Sequence, residues 1–526
     1  MSNKVWKRTI LGTTFILISI AYTFLLAIHG KANENLIFEV QHINSLKNIF
    51  SSPTNFNYWG HTGNLVSLFS PWLSLIVFLP LFQIGNTAIS YLLAFGIVTL
   101  LTLISSYYFV NKLSDNTLQA FVFAVIYTFS ITRLNLVFDN NFSDYLLMIF
   151  LPILFYGLFR IIEGFNADWP LYALGVALVG LTNPWMILSV FVISVIMIIS
   201  AAIFKETHSV KYWFGISISI LESFVAVLIL TLGYTLPLIE HGFSQSSDSK
   251  SFIQVSKFNF SNYYDGSQNI YLIVAAITLV LCMVIIFRAK SYLIYKTASI
   301  GIIFSMILSS DIINWKIFGS FDLSRVTFYF WIIYSVLLCL MISYLLSEMV
   351  ENKSSLFKLA TLIFTVILSC TIFYMNFPKQ NGDLFNTRIK SNESVTFHYS
   401  ERNMKHKDDL KDFLINKKLE RVQYTTTSNL FEFRYYNPAT VTIDVPILAY
   451  KNANVQINNE NVKFRETSRG TIQIRTKPGA NIVQISYQYT VISRIAMLIS
   501  VIGWILIMVL IINKGKWYIG KLSNNG

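Results

Sequence analysis

Apolar runs of about 20 residues recur along most of the chain, and they constrain the fold more than any single motif does. In helical form such a run reaches across the hydrocarbon core of a bilayer, about 30 Å. Backbone inside that core must satisfy its own hydrogen bonds, so the runs have to be helices. Composition agrees: 54% of the 526 residues are hydrophobic and only 13% are charged, with a mean hydropathy of +0.55. The chain is therefore expected to be a polytopic α-helical membrane protein. A net charge of +13 would point to nucleic acid in a soluble protein. Here Lys and Arg sit mostly in short turns and one polar section, so no nucleic-acid partner is expected. The first run, residues 9–28, has no small-residue cleavage site and is expected to stay as a span. Cys282, Cys339 and Cys370 lie within apolar runs, without metal-ligand spacing or a disulfide framework.

Orientation follows from the basic turns. Lys4, Lys7 and Arg8 precede the first run, which puts the N-terminus in the cytoplasm and the polar loop 31–66 on the outer face. Runs follow at 65–84, 87–110, 117–131, 143–162, 170–181 and 185–204. The charged turns 111–116, 160–168 and 205–211 fall inside only if 65–84 does not cross. Pro71, Pro80 and Ser67, Ser70 and Ser74 also suit an interfacial or re-entrant helix there. Further runs at 212–237, 270–287, 293–308, 326–346, 359–374 and 491–512 bring the total to about twelve crossings. Both termini are then cytoplasmic in a multi-pass cell-membrane protein.

The expected units are a transmembrane domain over 1–375, an extracytoplasmic section over 376–489, and a last span with a basic cytoplasmic tail over 490–526. In the section, residues 401–419 look like a short helix. Beyond them RVQYTTT, FEFRYY, TVTIDVPIL, NVQINNENVKF, GTIQIRT and NIVQISYQYT alternate as strands do, broken at Asn437-Pro438, 458–461 and Pro478-Gly479. That pattern predicts a small antiparallel β-sandwich-like domain. Exposed Tyr residues are common in strands, so a structural cap is the simpler role and acceptor or glycan binding the other.

Loop 31–66 carries Glu34, Glu39, His42 and His61, a large share of ionisable groups for so apolar a chain. Arg133 closes the run 117–131, Asp139 and Asp144 stand in the next outer turn, and Asp311, Asp322 and Arg325 belong to another. Each alone can be an interfacial charge at a span end. Together, arginines beside carboxylates suit a phosphate-bearing lipid, since guanidinium groups bind phosphate through forked bonds while a carboxylate serves as general base. Arg133 and Arg325 are thus expected to converge with Glu34 or Glu39 on one outer-face cavity. Glu222, the one clear mid-run acid, is expected to face the bundle or a wet cavity and to find a partner.

FSPWLSLIVFLPLFQIG, FVFAVIYTFSITRLNLVFDNNFSDYLLMIFLPILFYGLFR, FDLSRVTFYF and the closing segment from LAYKNANVQINNENVKF to IVQISYQYT resemble the bacterial YfhO-type membrane proteins, which have the GT-C glycosyltransferase architecture. By that resemblance Arg133 matches the Arg of a helix-ending Tyr-Arg pair, Asp139 and Asp144 stand where an Arg and a Glu are usual, and Arg325 matches the Arg of an outer-loop motif. The first loop departs from the pattern. Asn35 takes the place of the family's Asp, Glu39 that of its His and His42 that of its Arg, while Glu34 lies one residue before the Asp position. Thr182-Asn183-Pro184 stands where relatives tend to carry a His.

The resemblance implies transfer of a sugar from a polyprenyl-phosphate carrier to a cell-envelope glycan or polymer acceptor on the outer face. Glu34, or next to it Glu39, would be the base; Arg133 and Arg325 would hold the phosphate; His42, Asp139 and Asp144 would support them. No cofactor is required by the sequence, no Gly-rich phosphate loop is present, and a divalent metal is left open. Two other roles stay open: a non-catalytic envelope-assembly scaffold, and a lipid-linked glycan transporter or polymerase. The second would call for more charges inside the spans than Glu222 alone.

Overall fold

In the computed structural model, which describes residues 3–138, 141–205, 209–242, 268–288, 292–310, 313, 315, 326–376, 384, 412–450 and 452–523, the apolar runs are helices. α1 (Asn3–His29) leads into α2 (Glu34–Ser45), then two one-turn helices, α3 (Val66–Phe69) and α4 (Leu79–Phe82). The bundle continues through α5 (Thr87–Ser114), α6 (Thr117–Thr128), α7 (Ile131–Phe138), α8 (Phe142–Glu163), α9 (Trp169–Gly180), α10 (Pro184–Phe204) and α11 (Val210–Gly242). It is completed by α12 (Gln268–Phe287), α13 (Leu293–Ser309), α14 (Val326–Val350), α15 (Ser355–Asn376) and, after the β domain, α16 (Val491–Ser523). Asparagines set many of the starts. Asn33, Asn86, Asn116 and Asn183 each accept a first-turn N–H, at 3.0, 3.0, 3.0 and 3.1 Å, which satisfies a donor the helix leaves unpaired.

Among the described residues, nine helices are long and apolar enough to cross a membrane. The other crossings expected from the sequence fall on α13, on the apolar stretch Val274–Phe287 of α12, and on α9. α9 has 12 residues, which at 1.5 Å per residue reach about 18 Å, short of a hydrocarbon core. Glycines bring it flush against α8. A Cβ on Gly157 would lie 2.3 Å from the Tyr172 backbone nitrogen, and one on Gly175 would lie 2.5 Å from the Leu154 Cα. Backbone cannot yield as a flexible side chain can. Gly157→Ala and Gly175→Ala should each destabilise the detergent-solubilised protein by about 1–3 kcal/mol, and the double variant by less than their sum because both open the same seam. Thermal unfolding checks this, and unchanged midpoints would mean the helices are free to separate.

The expected helix over 65–84 is not there. Ser70 N–H still bonds the Val66 carbonyl at 2.8 Å, but Pro71 has no N–H to continue the ladder. The chain then proceeds as turns through a 3-10 segment (Ile76–Phe78) to α4. Val66, Leu68, Trp72, Leu75, Phe78 and Phe82 are buried in protein, while Val77 and Ile84 are exposed, so the stretch packs one side as core through broken turns and not through one continuous helix. Glu222 also departs from expectation. It is exposed on α11, and among the described residues no hydrogen bond or ion pair reaches it.

Between α15 and α16 lies a separate β-sheet domain. Its strands are β1 (Phe413–Ile415), β2 (Lys418–Glu420), β3 (Tyr424–Thr426), β4 (Leu430–Asn437), β5 (Val441–Leu448), β6 (Ala453–Ile457), β7 (Glu460–Asn461), β8 (Arg465–Glu466), β9 (Thr471–Thr476) and β10 (Gly479–Tyr487). They form two five-stranded antiparallel sheets, ordered β2-β1-β5-β9-β8 and β3-β4-β10-β6-β7. Ile443, Val445, Ile472 and Ile474 of one sheet share a core with Phe431, Phe433, Val483 and Ile485 of the other. The short helix expected over 401–419 is corrected where it is described: Phe413 to Glu420 form a hairpin. Its two-residue turn, Asn416-Lys417, has φ of 46° and 70°, the conformation whose twist matches paired strands. Residues 401–411 lie outside the described residues.

The first loop is built into this domain. Phe56, Leu65 and Leu68 belong to its core. Phe56 N–H donates to the Ser428 carbonyl at 3.2 Å, and Leu448 N–H to the Thr62 carbonyl at 3.0 Å. Gly63, at φ +69°, has no room for a side chain, since a Cβ would stand 2.8 Å from the Phe56 ring. The loop thus ties the domain to the end of the bundle where α1 finishes and α5, α8 and α10 begin.

Candidate functional site

At that end of the bundle, α2 lays its buried face, Leu36, Val40 and Ile43, into the helical core. Glu39 shares the face by helical spacing, one turn from Leu36 and Ile43. Its carboxylate is 4% exposed. It meets the first turn of α8: Oε1 accepts Ser143 N–H at 3.1 Å and the Ser143 hydroxyl at 2.8 Å, with Oε2 3.1 Å from the same hydroxyl. Two causes push its pKa up to about 7, burial first and the neighbouring Asp144 carboxylate second, against the Ser143 bonds, which pull it down.

Asp144, 2% exposed, holds a second layer. Its Oδ2 accepts the Asn141 amide at 2.6 Å and its Oδ1 the Asn183 amide at 2.8 Å. Asn183 also lies 2.5 Å from the Tyr329 hydroxyl. Four segments far apart in sequence, α2, the start of α8, the start of α10 and the start of α14, therefore meet around two carboxylates. Ser143, Asn141 and Asn183 all reach the pair as neutral donors. Glu39 can take up and release a proton near neutral pH, which is what a general base needs. Glu39 also acts as a helix cap supplied from outside, since its bonds satisfy donors at the N-terminus of α8.

The other expected site residues are placed as follows. Glu34 is exposed in the first turn of α2 and does not join the pair. His42 is fully buried, with both ring nitrogens lacking a hydrogen-bond partner among the described residues, and burial lowers its pKa to about 3, so the ring is neutral. His61 is tied to the loop, its Nδ1 2.6 Å from the Phe56 carbonyl. Asp139, Asp311, Asp322 and Arg325 lie outside the described residues, so the meeting expected of Arg325 with Arg133 and the loop carboxylates falls there too.

Arg133 sits on α7, and none of its surface is exposed. Its Nη2 donates to the Thr99 hydroxyl at 2.8 Å and its Cζ lies 5.4 Å from the centre of the Tyr22 ring. Nε and Nη1 lack a hydrogen-bond partner among the described residues, and no carboxylate there pairs with it. It lies one aromatic layer away from the acids: Tyr145, which adjoins it, and Tyr91, which feels the Glu39 charge, both pack on the Phe142 ring, at 6.1 and 5.8 Å.

Ser143, Asn141 and Tyr329 were not singled out in the sequence. Asn141 and Asp144 did carry a signal, because N-x-x-D before an apolar run is a helix-capping pattern. Ser143 and Tyr329 carried none. Among the described residues no group of three or more His, Cys, Asp or Glu is arranged to hold a metal ion. No protein-family model matches the chain, and no curated protein matches it.

Proposed function

We propose that this chain is a GT-C-type membrane glycosyltransferase that moves a sugar from a polyprenyl-phosphate donor to a cell-envelope acceptor on the outer face, with Glu39 as the base. The observation that carries the proposal is Glu39 itself: a buried first-loop carboxylate beside a second acid, with a pKa of about 7. Glu39 replaces Glu34 as the preferred base because Glu34 stands in solvent, away from the second acid. The acceptor hydroxyl takes the place of the Ser143 hydroxyl against Glu39 and gives up its proton to the carboxylate. Its oxygen bonds the anomeric carbon as the carbon–oxygen bond to the lipid phosphate breaks, and the phosphate leaves with the electron pair. Burial, and after it the Asp144 carboxylate, keeps the Glu39 proton affinity high, while Asn183 and Asn141 hold Asp144 in place. Arg133, which no carboxylate among the described residues pairs, supplies the positive charge for an anionic group.

The purified full-length protein, in proteoliposomes with a radiolabelled polyprenyl-phosphate sugar and envelope acceptors, should transfer label. No transfer from any such donor would favour the scaffold role, which the capping bonds from Glu39 to Ser143 suit. Orientation belongs to the same proposal: the β domain outside, both termini in the cytoplasm. Gln83 and Lys112 are both exposed, near opposite ends of α5. Cysteine at 83 should label with an impermeant maleimide on intact cells and cysteine at 112 only after lysis, and the reverse pattern would overturn the topology.

A further inference from the structure

The inner face of α11 is matched throughout by its own chain. Ser219 and Ser223 donate to the Asn166 and Trp169 carbonyls at 3.1 and 3.3 Å, and the Leu230 carbonyl accepts the Ser500 hydroxyl of α16 at 2.6 Å. The outer face is not. Phe214, Ile218, Leu221, Val225 and Leu228 repeat at spacings of four and three and are all exposed, the period along which a second helix packs in a left-handed crossing. Glu222 borders this seam one turn from Ile218 and from Val225, exposed and without a hydrogen bond or ion pair among the described residues. Lys211, at the start of the helix, is about 16 Å away along the axis. Glu222 therefore stands near mid-depth of a span that covers Val210–Glu240. Acids at that depth face a bundle interior, a wet cavity or a partner group, because lipid offers them no donor.

We propose that this face of α11 is a docking surface for a partner membrane protein, through a transmembrane helix that carries Lys or Arg at mid-depth. The charge selects the occupant. Lipid alone would favour an apolar residue at 222. A second copy meeting the same face about a two-fold axis would oppose two carboxylates, with no described cation on the seam to compensate them.

The probe is a synthetic 23-residue Leu/Ala transmembrane peptide with one central Lys, compared with the same peptide carrying Leu there. Both are titrated by fluorescence transfer onto the labelled full-length protein in nanodiscs. The Lys peptide should bind about tenfold more tightly, as one interhelical charged hydrogen bond in lipid allows. Glu222→Leu should equalise the two peptides, and it suits a lipid-facing helix, so it should insert and elute as the parent does. Glu222→Gln keeps the shape and should lose most of the preference, which leaves the proposal testable if the Leu variant misfolds. Equal binding of the two peptides to the parent protein would overturn it. So would a Lys preference that survives both substitutions, or a Val225→Cys protein that crosslinks to its own copy in native membranes.

Discussion

Glu39→Gln should cut sugar transfer by roughly 10²–10⁴-fold, the range expected for a lost general base, while the protein stays folded and inserted. Gln can still accept the Ser143 bonds through its carbonyl oxygen, so the cap on α8 survives in large part. The parent rate should rise with pH and level off above about 7, because only the ionised carboxylate can take a proton and its pKa lies there. Stability should move the other way. The fold raises the pKa of Glu39 from 4.5 to about 7, so the folded protein holds the proton more tightly than the unfolded chain does. The stabilisation that Glu39 provides is complete below about 4.5 and is lost as pH rises through about 7. Above that pH the Gln variant, which has no proton to lose, should be more stable than the parent by a few kcal/mol. Glu34→Gln should leave both profiles unchanged. Transfer by Glu39→Gln within twofold of the parent would assign Glu39 to capping alone.

Arg133→Met should abolish transfer and raise the melting temperature. A guanidinium buried among Tyr22, Thr99 and Tyr145, with no carboxylate partner among the described residues, is held at a cost in folding free energy. Replacing buried charge by a well-packed apolar side chain is commonly neutral or stabilising by about 1–4 kcal/mol. In the proposed reaction Arg133 offsets charge on the departing phosphate, which gives that cost a function. Lysine at 133 should restore transfer only in part, because a point charge cannot reproduce the fork. A Met variant that melts lower and transfers normally would make Arg133 a packing residue whose bond to Thr99 outweighs its desolvation.

The sequence by itself determined the class of the protein. Runs such as 87–110 and 143–162 are too long and apolar for water-facing helices, and they became α5 and α8 with ends set by Asn86 and Asn141. Strict alternation in FEFRYY and GTIQIRT likewise became β4 and β9, because a period of two puts every second side chain on one face. Pro71 and Pro80 argued against a clean span over 65–84, and packing decided that the stretch would be broken turns with one side buried. Tertiary structure alone decided the site. Glu34 and Glu39 differ little in sequence, but one faces solvent, while the other is held by Ser143, 104 residues away. Asn183 finds Tyr329 across 146 residues. Arg133 reads as a span-end charge until α5 and α8 close over it, and Glu222 reads as a bundle-facing acid until α11 turns it outward. Local pattern fixes which side of an element is apolar. Which neighbour covers that side is set by contacts between segments distant along the chain, and burial, pairing and pKa follow from the neighbour.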